Sequence, residues 1–240
     1  MYDPKIIRAI LELMADDPFY FGKVVASQYF SNEFAVFHRH MINAIGNLPK
    51  DKRIVVIEVP RGNAKTMIAS TLYPLHRCIF ASPKKERLKY VVIASYSNPK
   101  AKQIISDYRN IIISDNFQGI FPGTVLNIDR EELIEVENKE LGFYFQIMAR
   151  GRDSQMAGLR FEEARPQMVI CDDLENPDEA YNQDIVDQNV KFINGVVQFG
   201  LAPGGITILI GTPFATDCFT ERFTKYKTGV LVIKYPQLVE

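Results

Sequence analysis

Arg53–Thr66, RIVVIEVPRGNAKT, is the stretch that decides the fold. Its apolar run, Ile54, Val55, Val56, Ile57 and Val59, is rich in β-branched residues and suits a strand buried on both faces of a parallel sheet. Pro60 ends that strand, and Met67 to Phe80 reads as a helix. Asn63 to Thr66 therefore lies where a helix begins. Backbone N–H groups, the helix dipole, an ammonium and a hydroxyl converge there, which suits an anionic, Mg-bound ligand. The two glycine positions of the GxxxxGK[ST] pattern fall on Val59 and Ala64, leaving Gly62, Lys65 and Thr66. The plain alternative is a strand-turn-helix with an exposed lysine on its loop.

At 240 residues the chain has room for one large α/β domain, with 1–50 a helical and aromatic segment packed on a core of residues 51–240. The hydrophobic share of 47% and charged share of 24% are those of an ordinary soluble protein, and no apolar run is long enough to span a membrane. MYDPKIIRAILELMADDPFY carries acidic residues within its apolar periodicity and no basic leader, so it reads as a helix, and a cytoplasmic protein is expected. Cys78, Cys171 and Cys218 lie too far apart for a zinc site and read as buried free thiols. A net charge of −1 argues against a broad basic surface that coats nucleic acid. The most basic stretch, Pro83–Lys89, reads as a solvated loop.

Outward from the loop, Tyr90–Ala94 reads as a second buried strand, and Asn98–Ser114 as a helix with apolar positions at Ala101, Ile104, Ile105, Tyr108, Ile111 and Ile112. Ser95 and Tyr96 then fall at the carboxyl end of a strand, the edge where open α/β sheets bind ligands. Phe117–Val125 reads as a Gly/Pro-rich connection, and Glu132–Val136 with Gly142–Met148 as an antiparallel hairpin on the sheet edge. A loop with Arg150, Arg152, Arg160 and Arg165 leads into the strand Met168–Cys171, which delivers Asp172 and Asp173. Such a strand end can hold one carboxylate on a metal shell and the next against an attacking water. Asp178–Gln198 reads as helical. Ile206–Ile210 is another buried strand, ending in Gly211-Thr212-Pro213, so Thr212 reaches the edge that carries Lys65 and Asp172. Phe214–Tyr226 reads as a helix and Val230–Ile233 as a last strand. The fold class is α/β, a RecA-like P-loop ATPase with a mostly parallel central sheet flanked by helices and an antiparallel hairpin extension.

VPRGNAKT, MVICDD and ILIGTP, in that order and after an aromatic segment, resemble the N-terminal ATPase domain of the large terminase subunit, the motor that packages DNA into procapsids of tailed bacteriophages. The resemblance covers essentially the whole chain. It implies an ATP hydrolase with ATP and Mg2+ at one site: Lys65 on the β- and γ-phosphates, Thr66 and Asp172 on Mg, Arg61 as an extra basic residue, and Gly62, Asn63 and Ala64 lining the loop. Asp173 takes the position of the catalytic base, with Glu175 in reserve, and Thr212 is the polar residue of the coupling motif. AVFHRHMINAI resembles the adenine-binding stretch, with Phe37 stacking and His38 standing where helicase-like ATPases place a glutamine. The arginine given in trans falls on Arg160, with Arg152 behind it.

The partners implied are double-stranded DNA, bound transiently, the portal protein, the small terminase subunit and further copies of this chain in a ring. In isolation the chain is expected to be a monomer, in the host cytoplasm until it docks on the procapsid portal. The C-terminal nuclease of that family has no counterpart here, and Gln237–Glu240 reads as a domain cut from something longer. The competing readings are a helicase-like nucleic-acid-remodelling ATPase and a nucleotide-binding regulatory module without turnover.

Overall fold

In the computed structural model, residues 4–30, 33–81, 86–152, 158–176, 178–179, 181–197, 200–212, 217–225 and 228–235 are described. Pro83–Lys85, Gln198, Pro213–Thr216, Tyr226 and Gln237–Glu240, all of which carried sequence expectations, lie outside them.

Eight strands form one sheet in the order β3-β4-β5-β2-β6-β7-β1-β8. β1 (Ile54–Glu58), β2 (Tyr90–Ser95) and β6 (Met168–Asp172) are buried at every residue, as their unalternated apolar sequences require. β7 (Ile206–Gly211) lies between β6 and β1, parallel to both, and β8 (Val230–Lys234) covers the far side of β1. This order brings the carboxyl ends of β1, β6 and β7 together, in register at Glu58, Gly211, Ile210 and Asp172. Residues far apart in sequence thereby share one edge.

The sheet has a core on each face. Val55 and Ile57 point into one with Val91 and Ile93, and Met14, Phe19, Phe21, Met41 and Ile45 of the N-terminal helices join it. Ile54 and Val56 point into the other with Phe161, Ile193, Phe219 and Phe223. The N-terminal layer consists of α1 (Pro4–Asp16), α2 (Pro18–Val25) and α3 (Val36–Gly46). Asp17 ends α1 and also starts α2: its side chain accepts a hydrogen bond from Phe19 N at 2.8 Å, and Pro18 sits at the first helical position, where no N–H is missed. Among the described residues no helix is long and apolar enough to cross a membrane. All three cysteines are free and buried.

Two expectations from sequence are corrected. Phe117–Val125 is more than a connection, because α6 (Asp115–Ile120) precedes a third strand, β3 (Val125–Arg130), which pairs antiparallel with β4 (Leu133–Asn138). β5 (Phe143–Gly151) closes the hairpin with β4 and pairs parallel with β2, so the extension is continuous with the central sheet.

The run after the phosphate loop is also not a single α-helix. Thr66–Leu72 is a π-helical turn, followed by α4 (Tyr73–Ile79). Pro74 accounts for the change, because it has no N–H to give to the carbonyl of Ser70 one α-turn earlier. The hydroxyl of Tyr108, from α5 (Asn98–Ile112), donates to that carbonyl at 2.5 Å instead. Both residues are fully buried, and an unpaired carbonyl there would cost about 1–3 kcal/mol.

Candidate functional site

The loop between β1 and the π-turn is closed by its own polar groups. Asn63 Nδ2 donates to Pro60 O at 3.1 Å and to Arg61 O at 3.2 Å. Gly62 has φ of 80° and Ala64 φ of 50°, so the second glycine position of the phosphate-loop pattern is a left-handed one here. An alanine tolerates that conformation at a cost of about 1–2 kcal/mol, which is why glycine usually stands there. Arg61 is exposed on the loop. His38, on α3, braces it from the side: Nδ1 accepts from Ala35 N at 3.1 Å, which leaves the proton on Nε2 to donate to Asn63 O at 2.9 Å. Both ring nitrogens are thus engaged with backbone. Phe37 lies 4.1 Å from the His38 ring and 5.4 Å from Tyr235, centroid to centroid, beside the loop.

Lys65 is not the exposed lysine of a plain strand-turn-helix but is only 7% accessible. Its ammonium donates to Val59 O at 3.0 Å and to Thr212 Oγ1 at 2.6 Å, linking the ends of β1 and β7. Burial lowers its pKa, against the pull of Asp173 and Asp172. Thr66 Oγ1 donates to Asp172 Oδ1 at 3.0 Å, and Ser70 Oγ donates to Asp172 Oδ2 at 2.5 Å. The Asp172 carboxyl is fully buried. Its pKa is pushed up to about 6 by burial first and the neighbouring Asp173 charge second, while the two hydroxyls pull it down.

Asp173 leaves β6 with φ of 47°, a left-handed conformation that aspartate accepts more readily than most residues. Its backbone is held on both sides: its N–H donates to Ile210 O at 2.9 Å, and its carbonyl accepts from Tyr96 N at 3.2 Å and from Ser95 Oγ at 3.4 Å. Oδ2 pairs with Lys100 Nζ at 2.9 Å, and Oδ1 is buried without a hydrogen bond. Glu175 lines a small cavity beside Asp173 and Thr212 but is engaged differently. Its Oε1 accepts from Phe219 N at 2.8 Å, at the start of the helix Phe219–Thr224, and burial raises its pKa. Arg152 forks onto Glu179 at 2.6 and 2.8 Å within the same chain, whereas Arg160 is exposed.

No family model matches the chain, and no curated protein matches it either. Among solved structures, the large terminase ATPase domain of Thermus phage P74-26 is 15% identical, covers 78% of this chain and 68% of its own, and superposes with a TM-score of 0.52. The HK97 bacteriophage large terminase gives a TM-score of 0.55 at 11% identity, over 87% of this chain and 41% of that one. The fold is that of the phage large terminase ATPase domains. An RNA helicase of Chaetomium thermophilum bound to ADP is similar at the same level, 16% identical with a TM-score of 0.51 over 90% of this chain and 48% of its own.

On this sheet, Lys65, Thr66, Asp172, Asp173 and Thr212 meet at one edge, Arg61 to Ala64 frame it, and Phe37 and His38 flank it. Glu175 lines a small cavity with Asp173 and Thr212, its carboxylate held by Phe219 N, and Arg160 is exposed. Three residues near it escaped the sequence reading. Lys100 had one signal, since a lysine in the first turn of a helix opposes the dipole and calls for a carboxylate nearby. Ser70 lies inside an apolar helical run with no such mark. Tyr235 follows the last strand, and nothing local ties it to Phe37.

Proposed function

We propose that this chain is the ATPase motor domain of a phage large terminase, hydrolysing ATP with Mg2+ to drive double-stranded DNA into a procapsid. The observation that carries the reading is the junction of three strand ends, where Lys65 reaches Thr212 and Thr66 reaches Asp172. A buried lysine whose burial disfavours its charge gains most from an anion placed beside it. Lys65 is therefore the group that would exchange Val59 O and Thr212 Oγ1 for phosphate oxygens.

The donor set fits Mg2+, which is commonly held by one or two carboxylates plus substrate phosphates and waters. Among the described residues no cluster of three or more His, Cys, Asp or Glu could cage a metal alone, so Asp172 and the Thr66 hydroxyl would hold it together with the nucleotide. Once bound, the ion supplies positive charge against the β- and γ-phosphate oxygens. Asp173 would orient the attacking water and accept its proton, its backbone already fixed by Ile210, Tyr96 and Ser95. Phe37 would stack on the base, with Arg61 over the phosphates. The helicase-like alternative rests on the comparable likeness to the ADP-bound RNA helicase, and it would use the same ATP site.

Portal protein, small terminase subunit and DNA would engage a ring of these subunits. Arg160 is exposed, and among the described residues no carboxylate pairs with it as Glu179 does with Arg152, so it is the arginine we assign to a neighbour's site. A guanidinium added in trans is worth about three to five powers of ten in related phosphoryl transfers, and an isolated domain should be a slow ATPase. Mixing Arg160→Ala with Lys65→Ala tests this. Each variant alone stays inactive, and the mixture recovers activity at concentrations where wild-type activity rises more than linearly. No recovery there would put the arginine in cis or elsewhere.

A further inference from the structure

We infer that Ser70 and Tyr108 form a positioning relay that fixes the Asp172 carboxylate for its metal, an inference that rests on the Mg-ATP reading above. The two oxygens of Asp172 have different partners: Oδ1 faces Thr66, the residue that would share the ion, and Oδ2 accepts from Ser70 at 2.5 Å. Asp172 and Ser70 are both wholly inaccessible, so no solvent can replace that hydroxyl. If the Thr66 oxygen turns to the ion, Ser70 is what keeps the carboxylate from rotating about its own bond. Partners of this kind set ligand direction in metal sites.

Ser70 is in turn held from behind. Pro74 withholds the amide that an α-helix would bring to the Ser70 carbonyl, and the Tyr108 hydroxyl takes its place at 2.5 Å. The helix that supplies Tyr108 also supplies Lys100 to Asp173. Both neighbouring carboxylates are thus referenced to α5, one through two hydrogen bonds and one directly. A purely structural role would require only that Ser70 fill space, which alanine nearly does. The relay requires the hydroxyl.

The test is a titration of Mg2+ into protein with a fluorescent ADP analogue, alongside the affinity of that analogue in EDTA. Ser70→Ala should raise the Mg2+ concentration for half-maximal enhancement about tenfold, with the metal-free affinity within about twofold of wild type. Tyr108→Phe, which keeps the ring, should shift the Mg2+ requirement the same way by a smaller factor. A folded Ser70→Ala with the wild-type Mg2+ requirement, or one that loses metal-free affinity equally, would overturn the relay. If Ser70→Ala does not fold, an unchanged requirement in folded Tyr108→Phe overturns it instead. Wild-type protein that shows no Mg2+ dependence would bring down the ATPase reading itself, and the relay with it.

Discussion

Lys65→Ala is expected to lower ATP hydrolysis by at least about two to three powers of ten while the sheet stays folded. The lysine links the phosphate loop to Thr212, and on the proposed reading it would face the charge that develops on the transferred phosphoryl group. Its loss removes hydrogen bonds to Val59 O and Thr212 Oγ1 but also relieves the burial of a charge. These opposing effects keep the stability change small, so the thermal midpoint should move only a few degrees. Phosphate release and a thermal melt on the same preparation check both halves. A folded variant with wild-type turnover would remove Lys65 from the chemistry.

Asp173→Asn is expected to cut turnover by about two to four powers of ten and leave Mg-nucleotide binding nearly intact, the scale of a lost general base. The substitution is gentle elsewhere. Asparagine also accepts the left-handed backbone that Asp173 adopts with φ of 47°, and its carbonyl can still take a hydrogen bond from Lys100. The ion pair lost is partly exposed, with side-chain accessibilities of 39% and 22%, and pairs of that kind contribute only about 0–1 kcal/mol. Glu175→Gln is the matched control. Its amide oxygen can still accept from Phe219 N, so turnover should stay within a fewfold of wild type. If Glu175→Gln stops turnover and Asp173→Asn does not, Glu175 is the base.

Much of the sheet was legible because β1, β2, β6 and β7 are apolar runs bounded by turn residues, and strands buried on both faces need no alternation, while β8 is a short apolar run at the sheet edge. Their carboxyl ends named the edge where ligands meet, so Lys65, Asp172 and Thr212 could be grouped before any contact was known. β3 escaped because it is an edge strand with no fully buried residue: Asn127, Asp129 and Arg130 give it the look of a loop. The π-turn escaped because the segment after the loop is buried on nearly all sides, and periodicity carries no phase there.

Contacts between distant residues were the least legible. Lys65 is bonded to Thr212 and Asp173 is paired with Lys100, each contact made by the tertiary fold and not by any local pattern. His38 illustrates the reverse. Its position resembles one for base recognition, and in the structure Nδ1 caps the start of α3 at Ala35 N while Nε2 ties α3 to the loop at Asn63 O.

The most direct measurement is a crystal structure with a non-hydrolysable ATP analogue and Mn2+, read through the anomalous signal of the metal. The expected result puts the Mn2+ peak between Thr66 Oγ1 and the Asp172 carboxylate, the terminal phosphate against Lys65 Nζ, and Asp173 facing the side opposite the bridging oxygen. Nucleotide bound away from the Arg61–Thr66 loop, or a metal peak that Asp172 does not touch, would contradict the assignment of this sheet edge as an ATP site.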